Sequence, residues 1–185
     1  MLSVVIATQD SERALLPTLA ALVAGAVAGL VREVIVADAS SRDATVAIAD
    51  EAGCRVLDLT LPRGTRLKTA AGMARASWLL FLQPDTVLEA SWVEETKRFI
   101  EEVELRKGPL NAGVFRPGPL GSAAREMLAL LRAALGAWPD PSQGLVIAKS
   151  LYDALGGHRD VPAPERDLLR RLGRKRLVWL RTGAI

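Results

Sequence analysis

The sequence predicts an α/β fold: a three-layer sandwich in which helices cover both faces of a mainly parallel sheet. Three observations predict it. Short β-branched runs alternate with helical stretches over the first 105 residues, the pattern that builds βαβ units. Half of the 185 residues are hydrophobic but only 4% are aromatic. The core is therefore built from Ala, Val, Leu and Ile, which suits strands buried on both faces. Third, polar residues collect where the runs end, as ligand-binding parallel sheets require. The length fits one domain, and a chain of this size buries about 70% of its unfolded surface.

The elements follow in order. Leu2–Ala7 reads as a strand, Ala14–Gly29 as a helix, Glu33–Asp38 as a strand and Asp43–Ala52 as a helix. Arg55–Thr60, Trp78–Gln83 and the helices Thr65–Ala76 and Ser91–Leu105 complete a β-α-β-α-β-α-β-α series. The crossovers are expected to be right-handed. After Leu105 the rhythm changes. Lys107–Pro119 is rich in Pro and Gly around a short apolar piece, Ala112–Phe115. Leu120–Leu135 is a helix by its stripe of Met127, Leu128, Leu131 and Leu135 at helical spacing. A proline-punctuated loop, Trp138–Pro141, leads to a short strand, Gly144–Ala148, and a short helix, Lys149–Leu155, closed by Gly156-Gly157. Glu165–Leu172 is a basic helix and Arg176–Arg181 a last strand. The whole reads as one domain, with a half that looks nucleotide-binding (1–105) and a half that looks like a substrate lobe grafted onto it (106–185).

Composition excludes several classes. With one cysteine, Cys54, no internal disulfide exists, which favours a reducing, cytoplasmic compartment. With one histidine, His158, a zinc site of the usual N/S kind is not expected. The first residues lack a basic n-region and run into Asp10 and Glu12, so no signal peptide is read there. Ala14–Val31 is free of charge and long enough to raise the question of a membrane span. Its Ala, Gly and Pro17 content, and its place between two strands, argue for a helix packed on a sheet. There is no GxGxxG after the first strand, no GxxxxGK[ST] and no GxSxG, which disfavours a Rossmann dehydrogenase, a P-loop NTPase and a serine hydrolase of the elbow type.

The polar strand ends are Thr8-Gln9-Asp10, Asp38-Ala39-Ser40-Ser41, Pro62-Arg63-Gly64 and Gln83-Pro84-Asp85-Thr86. A parallel sheet puts all four on one edge. That edge has the chemistry a nucleoside diphosphate needs. A carboxylate such as Asp38 accepts from a ribose or base, Arg63 faces a phosphate, and Asp85 is a hard oxygen ligand for Mg²⁺ or Mn²⁺. Each also has a structural reading: Asp38, Ser40 and Asp43 suit helix capping, and Asp85 and Arg63-Gly64 suit ordinary turns.

Three segments together carry a family resemblance. Ser3–Thr8 (SVVIAT), Val34–Thr45 (VIVADASSRDAT) and Trp78–Thr86 (WLLFLQPDT) resemble the family 2 glycosyltransferases with the GT-A fold, in particular their short bacterial members. Arg63–Ala76, Asp140–Ile147, Ser150–Gly157 and Pro164–Leu172 resemble later segments of the same family. The resemblance implies transfer with inversion from a nucleotide-diphosphate sugar, assisted by Mg²⁺ or Mn²⁺. By position, Thr8 and Asp38 would contact the nucleoside, with Ser40, Arg63 and Gln83 in the donor site. Asp85 would hold the metal, and Glu165 would be the general base. The sequence departs from the family pattern at Gln83 and Pro84 within the metal motif, at Gln9-Asp10, at Ser142 and at Pro164.

Two other functions compete with a sugar transferase. A nucleotidyltransferase would carry a Gly-rich loop after the first strand, and Ala7–Arg13 has no glycine. A non-catalytic nucleotide- or partner-binding relative would fit the altered acidic positions. Glu165–Arg181 carries seven basic and two acidic residues, which points to an anionic partner. With the Leu120–Leu135 helix it suggests a lipid-linked acceptor at the inner membrane face, or a homodimer interface. Nucleic acid is not expected, since Trp179 is the only aromatic among those basic residues. His158 either lines the acceptor pocket or is structural. Trp138 either stacks on an acceptor sugar or packs under its loop.

Overall fold

A computed structural model describes residues 1–106, 110–118 and 138–185. The predicted Leu120–Leu135 helix lies outside them. The alternation runs β1 (Leu2–Thr8), α1 (Glu12–Val27), β2 (Val31–Asp38), α2 (Thr45–Glu51), β3 (Arg55–Asp58), α3 (Arg63–Gly72), β4 (Trp78–Leu82) and α4 (Trp92–Leu105). Then come β5 (Ala112–Pro117), β6 (Leu145–Ala148), α5 (Lys149–Ala154), α6 (Pro164–Leu172) and β7 (Leu177–Ala184). Turns of 3₁₀ helix occupy Pro141–Gln143 and Arg174–Arg176.

The seven described strands form one sheet in the order β3-β2-β1-β4-β6-β5-β7. Every pairing is parallel except those of β6, which is antiparallel to both β4 and β5. The central strands β1 and β4 are buried along their whole length. This explains their unbroken apolar runs: both faces are covered. On one side α1 packs against α2 and α4. Trp92 of α4 donates from Nε1 to the Ala21 carbonyl at 3.0 Å. Its ring lies where a Cβ on Gly25 would be only 2.5 Å away, so glycine is required there. On the other side α3 lies across β1 and β2 and meets α6. Among the described residues no helix is long and apolar enough to cross a membrane.

The predicted boundaries shift for reasons remote in sequence. Helix α1 begins at Glu12 rather than Ala14 because its start is tied to that of α2. The Glu12 amide donates to Asp43 Oδ2 at 3.1 Å, and the Ala44 amide donates to Glu12 Oε2 at 3.1 Å. Asp43 also accepts from the Thr45 amide at 3.0 Å, so it serves both helix starts. Helix α3 runs Arg63–Gly72 rather than Thr65–Ala76. Its last carbonyls are taken by Lys149 Nζ, which donates to Ala71, Gly72 and Ala74 at 2.8–3.1 Å. Strand β7 continues to Ala184 because its end pairs with Arg116 and Pro117 and bridges to Leu88. Strand β3 stops at Asp58, short of the expected Thr60.

Candidate active site

The strand order reverses between β1 and β4, which opens a crevice beyond their carboxyl ends. The β1–β2 register puts Thr8 directly beside Asp38. The Thr8 hydroxyl donates to Asp38 Oδ1 at 2.7 Å. The Ser41 hydroxyl donates to the same oxygen, and its amide to Oδ2, both at 2.6 Å. Both residues are buried, Asp38 at 0% exposure. In the free protein this carboxylate organises the loops after β1 and β2.

A second tie joins the same loops. The Asp10 amide donates to Ser41 Oγ at 2.8 Å, and the Arg42 amide donates to Asp10 Oδ1 at 2.8 Å. Asp10 and Ser40 have φ of 46° and 54°, a left-handed backbone that costs a non-glycine residue about 1–2 kcal/mol. These bonds are what hold Asp10 there. Ser40 itself is exposed and points the other way, donating to Asp58 Oδ1 at 2.8 Å and lying 3.0 Å from Thr60 Oγ1.

Arg63, at the start of α3, donates from Nε to Glu165 Oε1 at 2.6 Å and from Nη1 to the Ala7 carbonyl at 3.2 Å. The contact spans 102 residues of sequence. It exists because Gly64 lets α3 approach the loop before α6: a Cβ there would lie 1.9 Å from the Arg159 carbonyl oxygen. One turn on, Arg66 is buried and donates from Nη1 to the carbonyls of Thr8 and Ala37 at 2.6 and 2.9 Å. Burial, reinforced by Arg63, pushes its pKa down, with Asp38 opposing. Sequence reasoning missed Arg66. The signal was the three-residue spacing from Arg63, which puts both on one helix face.

After β4, Gln83 lines a cleft together with Glu165, His158 and Asp140. Asp85 is exposed. The turn carrying it is pinned on both sides. Thr18 Oγ1 donates to the Pro84 carbonyl at 2.8 Å, and Thr86 Oγ1 donates to the Ser142 carbonyl at 3.0 Å. Among the described residues no group of three or more His, Cys, Asp or Glu converges as a metal cage. Of the predicted residues, Thr8 and Asp38 are joined directly, Arg63 and Glu165 are joined directly, and Gln83 and Glu165 share the cleft wall. Asp85 and Ser40 stand at the exposed margin.

Trp138 is half-exposed, and Arg174 sits over its ring at 5.1 Å. That contact is within the chain and joins the 3₁₀ turn before β7 to the proline loop.

A sheet of this order, with its polar strand ends gathered at the switch point, defines a nucleotide-diphospho-sugar transferase fold. Residues 3–105, more than half of the chain, match the profile of Glycosyl transferase family 2, and the chain belongs to that family. No curated protein matches the sequence. Among solved structures, Staphylococcus aureus TarS 1–349 in complex with UDP-GlcNAc superposes with a TM-score of 0.77 at 16% identity. That alignment covers 99% of this chain and 57% of the TarS 1–349 segment. Glucosyl-3-phosphoglycerate synthase from Mycobacterium tuberculosis, in complex with Mn²⁺, UDP and glucosyl-3-phosphoglycerate, superposes with a TM-score of 0.67 at 23% identity. That alignment covers 97% of this chain and 68% of the synthase. The chain thus spans under three fifths of the TarS 1–349 segment, and at these identities the likeness shows the fold.

Proposed function

We propose that this protein transfers a sugar from a nucleoside-diphosphate donor to an acceptor hydroxyl with inversion at the anomeric carbon. The supporting observation is the cleft that holds Gln83 and Glu165 together, with Arg63 tying Glu165 to the Ala7 carbonyl at the end of β1. In this reading residues 1–105 hold the nucleotide, and the later residues supply the acceptor side. Glu165 takes the acceptor proton as the acceptor oxygen bonds to the anomeric carbon. The bond from that carbon to the diphosphate oxygen breaks with its electron pair, and the nucleoside diphosphate leaves. Before donor binds, Arg63 fixes the Glu165 carboxylate. A diphosphate competes for this guanidinium, whose charge suits phosphate, and so releases the base.

The donor set at Asp85 fits a divalent cation of the Mg²⁺ or Mn²⁺ type. Such ions are commonly held by one or two carboxylates completed by substrate phosphates and water. Here Asp85, exposed on the turn after β4, would hold it as the single carboxylate, with diphosphate oxygens and water completing its shell. When bound, it would supply Lewis-acid stabilisation to the departing diphosphate. The exposed Arg174, Lys175 and Arg176 suit an acceptor that carries negative charge or sits on an anionic surface.

Titration of UDP- and GDP-sugars with Mn²⁺ by calorimetry, followed by assay of free UDP or GDP, tests this reading. Binding with release of the nucleoside diphosphate is expected. Binding without release would favour a non-catalytic relative, which the substitution at Gln83 would explain. No heat with any nucleotide would end the proposal.

A further inference from the structure

We infer that His158 presents a protonated Nε2 to the cleft beside Glu165 and donates a hydrogen bond to a hydroxyl of the sugar carried by the donor. This rests on the donor-binding reading above and adds a contact that reads the sugar rather than the nucleotide.

The hydrogen bonds around the ring determine its tautomer. Tyr152 Oη lies 2.9 Å from His158 Nδ1 and accepts from the His158 backbone amide at 3.0 Å. Both side chains are buried, Tyr152 at 1% and His158 at 2% exposure. If Nδ1 carried the proton, Tyr152 Oη would accept twice. Its own O–H would then be left without an acceptor, and Nε2 would be a second orphan. If Tyr152 donates to Nδ1, the amide, the hydroxyl and Nδ1 are all satisfied and a single group remains, the Nε2–H. Each buried group left unpaired costs about 1–3 kcal/mol, so the second arrangement holds. Nε2 is indeed buried with no partner among the described residues, and the ring lines the cleft. The edge-to-face contact with Phe81, at 4.7 Å between centroids and 76° between planes, holds the ring in place.

What Nε2–H can meet follows from its surroundings. A nitrogen bearing a proton has no lone pair for a metal ion. Burial, together with Arg171 and Arg63, keeps the ring neutral, with Asp167 opposing. The neutral donor therefore supplies no counter-charge for a phosphate. Among the described residues the charged groups on the wall are the carboxylates Glu165 and Asp140, and the rest is mainly apolar, including Leu67, Phe81 and Leu169. An anion is disfavoured there. A hydroxyl fits: it accepts a hydrogen bond from Nε2 and donates one through its own O–H to an acceptor such as the Gln83 amide oxygen or Glu165. The cavity beside Nε2, of about 20 Å³, has room for one water-sized group, so a single hydroxyl of the sugar enters it and the ring stays at its mouth. The cleft also adjoins Gln83, at the turn where the diphosphate would end.

Because His158 is the only histidine, imidazole ¹⁵N spectra of the full chain report it without assignment. The free protein is expected to show the neutral Nε2–H form from pH 5 to 8. UDP-glucose or UDP-GlcNAc with Mg²⁺ should shift the Nε2 signal, while UDP with Mg²⁺ should not. His158→Phe should weaken sugar-nucleotide binding about tenfold, which is 1.4 kcal/mol, and leave UDP binding unchanged. His158→Gln, whose amide nitrogen takes the Nε2 place, should recover part of the loss. An Nδ1–H tautomer overturns the inference. So does a sugar nucleotide that binds while Nε2 stays unmoved. Equal affinity in the Phe variant also overturns it. If His158→Phe does not fold, the wild-type spectra still decide. Absence of binding by any nucleotide removes the donor reading and this contact with it, an outcome distinct from normal binding with an unmoved ring.

Discussion

Between pH 7 and pH 5, above the range in which ordinary carboxylates titrate, acid should destabilise this protein through a single imidazole. Burial, with Arg171 and Arg63 nearby, pushes His158 down to about 3 from its usual 6.5, against a smaller opposing pull from Asp167. Glu165 and Tyr152 are its other polar neighbours. The sign follows from linkage. Between the unfolded and folded values the unfolded chain binds a proton that the folded chain refuses, so stability falls as pH falls. The contribution is fully present above pH 6.5 and is lost progressively toward 3. From pH 7 to pH 5 one such group removes about 2 kcal/mol. The figure requires only that the folded-state value lie well below 5. Urea midpoints measured at pH 7, 6 and 5 on the wild type and on His158→Phe would report it. The wild type should lose this increment, and the Phe variant should be nearly flat. Equal slopes in the two proteins, or a flat wild type, would refute the claim that the ring is buried and neutral.

Other outcomes follow from the site. Glu165→Gln should cut turnover at least about 10²-fold with little change in donor affinity, in steady-state and calorimetric measurements; unchanged turnover removes Glu165 from the mechanism. Asp85→Ala should abolish the Mn²⁺ dependence of donor binding by calorimetry, and a surviving dependence means that another ligand holds the ion. Gly64→Ala would set a Cβ 1.9 Å from the Arg159 carbonyl oxygen, a backbone atom that must move. A loss of about 3 kcal/mol is expected in urea unfolding, and a loss well under 1 kcal/mol would show that the approach of α3 to α6 is loose.

Much of the site was visible in the chain, because a parallel sheet sends every strand's carboxyl end to one edge. The polar strand ends could therefore be named before their contacts were known. What each does there was not visible. Thr8 and Asp38 read as ligand contacts; in the free protein Asp38 accepts from both Thr8 and Ser41. Ser40 sits in the same run as Asp38 but faces Asp58. Arg66 looked like one more basic residue of a helix, and it is the buried cation under two strand ends.

Local patterning determined the element types, the alternation and the fold class by itself, because strand and helix periodicities and the burial of β1 and β4 are short-range properties of the chain. Tertiary structure alone decided the antiparallel placement of β6, the Arg63–Glu165 pairing and the tautomer of His158. Each depends on groups brought together from distant positions, or on a hydrogen-bond inventory that exists only once the surroundings exclude water. Helix ends belong to that second group as well. Asp43 and Lys149 set the limits of α1 and α3 from 31 residues away or more, since unpaired backbone groups at a helix end take whichever partner the fold delivers.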